Sequence, residues 1–336
     1  MSDLRFGCMI LPRSLAGTME AAQEAERWGF HWLGVADTPT VYQESYLHQL
    51  EAARATREIL VGPLTGHVTV RHPVIVGNLL ATMQEFTGGR TLPVLATGNS
   101  AARGLGMPPA HVGQLAEAVG AIRSYWRGEG GRYGTSAIPA TGIRREGCPI
   151  FVAADGPRTM EMAGEVGDGA LYGGTLEPAV LERRIAAARR HSHLAFWAGP
   201  AASLAETAGE AGAEMGALLV AMANRALRGD LDERGIPPSL QDGIREMWRR
   251  YDYGFHADTT RPRNESAVDG DVADYLVEHL CIWGSEARWR ATLDRLAGAG
   301  VDGVMFILSR SDGTGVRDVG ERLAALGLLT PQSTGV

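Results

Sequence analysis

Short apolar runs recur along this chain, each stopping at a small or acidic residue and passing into a stretch of helical periodicity; this happens seven times before an eighth run near the end. The runs are Phe6–Leu11, Trp32–Asp37, Ile59–His67, Leu92–Thr97, Ile150–Asp155, Ala170–Gly174, Leu194–Gly199 and Val304–Leu308. Eight strands alternating with helices predict an α/β fold, a (β/α)8 TIM barrel, and such barrels place their chemistry on the loops at the strand carboxyl ends. Among the intervening helices, one is expected from about Leu15 to Trp28, with Gly29 as its stop, and others over Val112–Arg127 and Met160–Val166. The third run carries Gly62, Pro63, Gly66 and then His67, which marks a bulge rather than ordinary ladder pairing.

Two stretches exceed what a β/α unit needs. One is about 103–147, with a polar, glycine-rich part at Gly128–Gly142; the other is about 201–278, mostly helical and broken at Pro237-Pro238 and Arg261-Pro262-Arg263. Neither has the apolar periodicity to build its own core. Both are therefore expected as insertions at the barrel mouth of one domain over 1–330, with 331–336 as a tail. Long loops on that face commonly make lids or pockets.

Composition narrows the class. The 336 residues are 45% hydrophobic and 21% charged, which argues against disorder and against a fibrous chain. A formal charge of -7 argues against nucleic acid as a partner, since phosphate binding needs a basic face. Cys8, Cys148 and Cys281 are scattered, so neither a disulfide framework nor a zinc site is expected. Asp3 and Arg5 precede only a brief apolar strand, unlike a signal peptide, and no run reaches the roughly eighteen apolar residues that span a bilayer. The expectation is a soluble, cytoplasmic protein acting on a small molecule, with no membrane partner.

The chemistry is less explicit. Gly-x-Ser-x-Gly does not occur, and the histidines match no metal spacing; His191 and His193 straddle a helix–strand junction and read as surface residues. Gly128 and Gly130 begin a dinucleotide fingerprint, but Tyr133 stands where its third glycine belongs. Asp37 ends the second strand on the catalytic face of a barrel, with a cap on the following turn as the lesser alternative. Pro149–Thr159 reads as strand, glycine turn and helix start, so its free amides are either an anion site or a plain β–α turn.

The segment from Asp155-Gly156-Pro157-Arg158-Thr159 to Gly169 resembles the signature of the bacterial luciferase-like superfamily. So do Arg71-His72-Pro73, Glu85-Phe86-Thr87-Gly88-Gly89-Arg90, Trp283-Gly284-Ser285 and Ala299-Gly300-Val301-Asp302-Gly303. The resemblance runs from Arg5 to about Leu326 and is strongest toward methylenetetrahydromethanopterin-reductase-like oxidoreductases. It implies a barrel that binds the deazaflavin coenzyme F420, or FMN, with the ring across the strand ends and the phosphate near the fifth strand. Carried over by residue, it implies cofactor contacts at Asp37, at Leu64, Thr65 and Gly66, at Thr97, Gly98 and Asn99, and at Asp155, Gly156 and Thr159. The family often has a non-proline cis peptide in the third-strand bulge.

Two departures refine this. Many FMN-binding relatives have an arginine where this chain has Thr97, and losing that charge-assisted bond to phosphate favours F420. Reductase relatives have a strand-one glutamate where this chain has Met9, so a proton donor must come from elsewhere. His67, at a position where relatives often carry asparagine, His256 in the inserted Tyr251–His256 stretch, and Asp37 are the catalytic candidates. The implied activity is hydride transfer from reduced F420 to a C=C or C=N bond of a small organic molecule, or the reverse. Two alternatives stand beside it: an FMN-dependent luciferase-like monooxygenase fed by a separate flavin reductase, and a non-catalytic luciferase-like subunit. The resemblance also implies a homodimer, which the apolar content of Pro73–Phe86 permits. Trp126, Tyr133, Trp248, Tyr251, Tyr253 and Phe255 either line a substrate pocket or pack on the barrel, and packing accounts better for the helical spacing of Trp248, Tyr251 and Phe255.

Overall fold

In a computed structural model that describes residues 4–258, 263–268 and 270–332, the apolar runs become the staves of a barrel. They are β1 (Arg5–Ile10), β2 (Trp32–Val35), β3 (Leu60–His67), β4 (Val94–Ala96), β5 (Phe151–Ala153), β6 (Gly169–Tyr172), β7 (Ala195–Ala198) and β8 (Gly303–Leu308). Each pairs in parallel with the next, and β8 returns to β1 in register from Arg5↔Gly303 to Met9↔Ile307, which closes the cylinder.

Alternation along each strand sends one set of side chains to the axis and the other to the helices. On the outside, Phe6, Leu33, Val61, Val152, Phe196 and Phe306 are buried under the helix ring. On the axis, near the amino ends of the strands, Trp32 meets Phe151 and Trp197 edge-on, with ring centroids 5.4 and 5.2 Å apart. Glycines make room for these rings: a Cβ on Gly169 would stand 2.3 Å from Phe151, and one on Gly303 2.4 Å from Trp197. The lower barrel is therefore a packed plug and not a pore, with each aromatic pair adding about 0.5–1.5 kcal/mol beyond its buried area.

The ring of helices includes α1 (Leu15–Arg27), α2 (Ser45–Ala55) and α3 (Pro73–Thr87). Between β4 and β5 come α4 (Asn99–Gly104) and α5 (Val112–Arg127). The α5 helix belongs to the outer ring, between α3 and α6 (Pro157–Val166), because Leu115, Val119 and Ile122 give it an apolar face against the barrel. Strands Gly131–Tyr133 and Ser136–Ile138 then form a hairpin along α5. Its turn residue Gly134 donates to the Glu117 carboxylate at 2.9 Å, and the Tyr133 hydroxyl donates to the Val68 carbonyl at 3.1 Å, just beyond β3.

After β6 runs α7 (Pro178–Ala188), and after β7 the chain builds a roof from α8 (Ala208–Ala226), α9 (Pro238–Arg250) and α10 (Gly270–Leu280). The α8 helix breaks at Gly216, φ 24°, where the Ala217 amide donates to the Glu265 carboxylate at 3.3 Å. Roof residues Leu218, Met222, Ile244, Met247 and Leu276 join the axial side chains Leu64, Leu171 and Met305 in one apolar cluster. The short strands Ala201–Ala202 and Cys281–Ile282, where the roof segment leaves and returns, pair with each other in parallel. The chain then continues through α11 (Glu286–Gly298) to β8 and ends in α12 (Gly313–Ala325). Among the described residues no helix is long and apolar enough to cross a membrane, and no three His, Cys, Asp or Glu side chains gather as for a metal.

Candidate active site

Above the aromatic plug the axis opens into a cavity of about 130 Å³ accessible to water. Seven barrel strands or the turns after them supply parts of the wall, from Met9 of β1 to Ile307 of β8, and Ser100 of α4 stands in after β4. The roof over it is Leu218, Ala221, Met222 and Arg225, which share one face of α8, together with His256 and Ala257. Of the residues singled out from the sequence, Asp37, Leu64, Thr65, His67 and His256 line this cavity.

Asp37, two residues past the end of β2, is 3% exposed and held by Arg71, with Nη1 to Oδ2 at 2.6 Å. The same guanidinium reaches Glu44 at 2.5 Å and lies over the Tyr46 ring at 5.1 Å. The carboxylate is thus committed to an ion pair, and the Asp37 carbonyl turns to His67.

His67 follows the bulge that its glycines predicted. The Leu64–Thr65 peptide is cis, and the register against β4 shifts between Leu64 and Gly66. The imidazole is 4% exposed; its Nε2 lies 2.5 Å from the Asp37 carbonyl oxygen, and its Nδ1 has no partner. Burial lowers its pKa, with the Asp37 charge and carbonyl opposing that shift. Gly98, at φ 83°, lies beside the ring, and a Cβ there would stand 3.5 Å from Nδ1.

His256 enters from the roof, where its Nδ1 faces the Tyr251 hydroxyl. Burial, then Arg225 and His67, pull its pKa down to about 3, and burial raises that of Tyr251. The Tyr42 hydroxyl donates to the Ala257 carbonyl at 2.8 Å and so pins the roof loop to the barrel.

Beside the fifth strand, the Asp155 carboxylate accepts from the Gly173 amide at 2.9 Å and from Arg225 at 2.6 Å, so it orients a roof cation. The α6 helix starts at Pro157, three residues before the expected Met160, because proline suits the first helical position. Its N-cap Gly156 offers no side chain, and Arg234 lies across the turn, with Nη2 3.0 Å from where a Gly156 Cβ would be. Thr159 is half-buried in the first turn. After β4, the Thr97 carbonyl accepts from the Ala110 amide at 2.9 Å, and the Asn99 side chain accepts from Arg103 at 3.0 Å. Gly66, Thr97, Gly98, Asn99, Asp155, Gly156 and Thr159 all stand outside the cavity wall itself.

Sequence reasoning missed Arg225, Arg234 and Tyr42, and it noted Arg71 only as part of a motif. The spacing of 218, 221, 222 and 225 on a helical stretch was the available signal for the roof face. The six singled-out aromatic residues pack elsewhere: Trp126 donates to the Gly77 carbonyl at 2.8 Å, and Trp248 lies under Arg228 at 5.0 Å. Tyr42 is the aromatic residue in the wall.

Comparison with known proteins agrees with this architecture. A 5,10-methylenetetrahydromethanopterin reductase of Methanopyrus kandleri is 29% identical over 199 residues, 51% of this chain and 56% of that protein. An F420-dependent glucose-6-phosphate dehydrogenase of Beutenbergia cavernae is 34% identical over 152 residues, 39% of this chain and 45% of that protein. The chain thus spans about half the length of the curated relatives it matches. The solved structure of a coenzyme F420-dependent tetrahydromethanopterin reductase from Methanopyrus kandleri superposes with a TM-score of 0.73 at 21% identity, covering 96% of this chain and 99% of that one, which shows a shared fold. The family model described as luciferase-like monooxygenase matches residues 4–303, from the first barrel strand to the start of the last. By that match across barrel and roof alike, the chain belongs to the luciferase-like monooxygenase family.

Proposed function

We propose that the protein is an oxidoreductase that exchanges hydride between coenzyme F420 and a small organic substrate at the barrel mouth. The observation that carries this is the cavity itself, walled at the carboxyl ends of the barrel strands, with His67 and His256 both in its lining. Its walls suit a flat apolar ring, and an anionic arm would extend beyond them to the turn after β5. Leu64, Ala153, Leu171 and Ile307 offer apolar faces, and the uncapped start of α6 beside Arg234 offers amides and a cation to a phosphate. Two matched relatives are named for F420 or methanopterin chemistry, which supports the coenzyme class.

When bound, F420 supplies the carbon that gives or takes hydride. The chain's share is to hold the ring against the Leu64–Gly66 bulge, exclude water under α8, and handle one proton. A C=C or C=N acceptor, the bond class implied by the resemblance, needs a proton given by the chain; in the reverse direction the chain takes one. The second reading, FMN with oxygen and a partner flavin reductase, draws on the monooxygenase description of the family. Thr97, in place of a phosphate-pairing cation, weighs against it. A non-catalytic subunit would have little use for an enclosed cavity with paired charges on two sides.

Titration of the purified protein with F420 and with FMN, followed by fluorescence quenching and calorimetry, tests the reading. F420 is expected to bind at least about tenfold more tightly, a difference of 1.4 kcal/mol. Tighter FMN binding accompanied by oxygen consumption would overturn it.

A further inference from the structure

The geometry points to a second binding site, at the end of the barrel opposite the cavity, that takes the dianionic phosphate group of a small molecule. The aromatic plug of Trp32, Phe151 and Trp197 separates it from the coenzyme cavity, and it stands whichever coenzyme that cavity holds.

The last turn of α5 lies beside the residues that lead into β5 and β6, at the amino ends of the strands. There Arg123, Arg127, Arg144 and Arg145 wall a pocket of about 500 Å³, with Cys148 before β5 and Asp168 before β6 also in its lining. That volume suits a small molecule. Arginines near the end of a helix ordinarily answer its dipole, and Arg123 and Arg127 do so whatever else they do. Arg144 and Arg145 have no such reason to be there. They arrive on the irregular stretch after the hairpin, and the Arg145 amide fixes that stretch to α5 by donating to the Trp126 carbonyl at 2.8 Å. Gly147 lets it press on the indole, since a Cβ there would stand 2.5 Å from the Trp126 ring.

Four guanidiniums here meet two carboxylates. Arg123 pairs with Asp168 at 2.7 Å, and Arg127 with Glu129 at 2.7 Å. Asp168 also accepts from the Ile150 amide at 2.8 Å. Arg145 lies over the Tyr125 ring at 4.2 Å and donates to the Ile143 carbonyl at 3.0 Å, with no carboxylate partner among the described residues. Arg144 is exposed and has no partner among them either. Glu146 is not part of the wall. Four less two leaves a surplus of two positive charges in a concave site, on a chain whose formal charge is -7. Arg123 and Arg127, one turn apart, also repel each other along the helix, a cost that an anion between them removes. A phosphate monoester brings a charge of about -2 near neutral pH and three acceptor oxygens, which guanidinium forks engage in pairs. A single carboxylate would answer half the surplus.

Calorimetric titration of the full chain with inorganic phosphate, in a chloride background of fixed ionic strength, reads the site. Saturable binding with a Kd at or below about 1 mM is expected. Arg144→Gln combined with Arg145→Gln, at side chains that reach solvent, should weaken it at least about tenfold. Asp168→Asn keeps an acceptor for the Ile150 amide and removes one opposing charge, so it should tighten phosphate about threefold. Arg234→Gln, at the turn after β5, should leave this binding event within about twofold. Absence of saturable phosphate binding overturns the inference. Binding that survives the double substitution and is lost in Arg234→Gln overturns it too, because phosphate then sits at the barrel mouth. A hexaglutamate peptide that binds through Arg144 and Arg145 where phosphate does not would likewise overturn it, and would make the patch a docking surface for an acidic partner.

Discussion

At the amino ends of the barrel strands, Trp32, Phe151 and Trp197 fill the axis ring against ring, with Gly169 and Gly303 cut down to admit them. Farther along the same strands the axis holds a cavity edged by the Asp37–Arg71 and Asp155–Arg225 ion pairs and by two neutral histidines. The lower end maximises contact between rings, with the titratable His31 stacked on Trp197 at its edge. The upper end takes on desolvated charge, which is a poor way to gain stability. Ion pairs in such a place make sense as devices that fix other groups: Arg71 steadies the residue whose carbonyl orients His67, and Asp155 steadies a roof arginine.

The largest effect expected from this contrast comes from cutting one half of a mouth pair. Arg71→Ala strands a carboxylate that is 3% exposed and should lower stability by about 3–5 kcal/mol in urea unfolding. Adding Asp37→Asn should restore most of it. A neutral Arg71→Ala would show that the mouth behaves like ordinary solvated surface.

Next comes the plug. Gly303→Ala forces a methyl toward the Trp197 ring and should cost about 1–3 kcal/mol. F420 affinity per folded molecule should not change, as calorimetry on the folded fraction would report; a loss of affinity would join the two ends that the comparison separates.

Smallest is the response to acid. Unfolded histidine takes up a proton below about pH 6.5, whereas His256 in the fold resists until about 3. Acid therefore favours the unfolded chain, and stability present above pH 6.5 is lost as pH falls. At pH 5 the loss from His256 is at most roughly 2 kcal/mol, trimmed by its partial contact with solvent. His67 acts in the same direction. Denaturation midpoints between pH 7 and 5 should show this slope, and His256→Gln should flatten it.

The barrel was legible because each strand needs two apolar faces, and that leaves an unbroken run in the sequence; Ile59–His67 became Leu60–His67, and Val112–Arg127 is a helix over those residues. Strand ends then placed Asp37 and His67 at the mouth without further information. The hairpin over Gly131–Ile138 was not legible, since its mostly exposed residues carry no core signal. Nor were Arg225 and Arg234, whose partners lie 70 and 79 residues away along the chain. Local periodicity sees which face of a helix is buried. It does not see which distant carboxylate that face will meet.

The stitch between Ala201–Ala202 and Cys281–Ile282 sets how this scaffold can diversify. A long excursion whose ends are sewn side by side can be exchanged as a cassette, with the cylinder beneath it left in register. The roof can then change between descendants while the barrel floor is inherited intact.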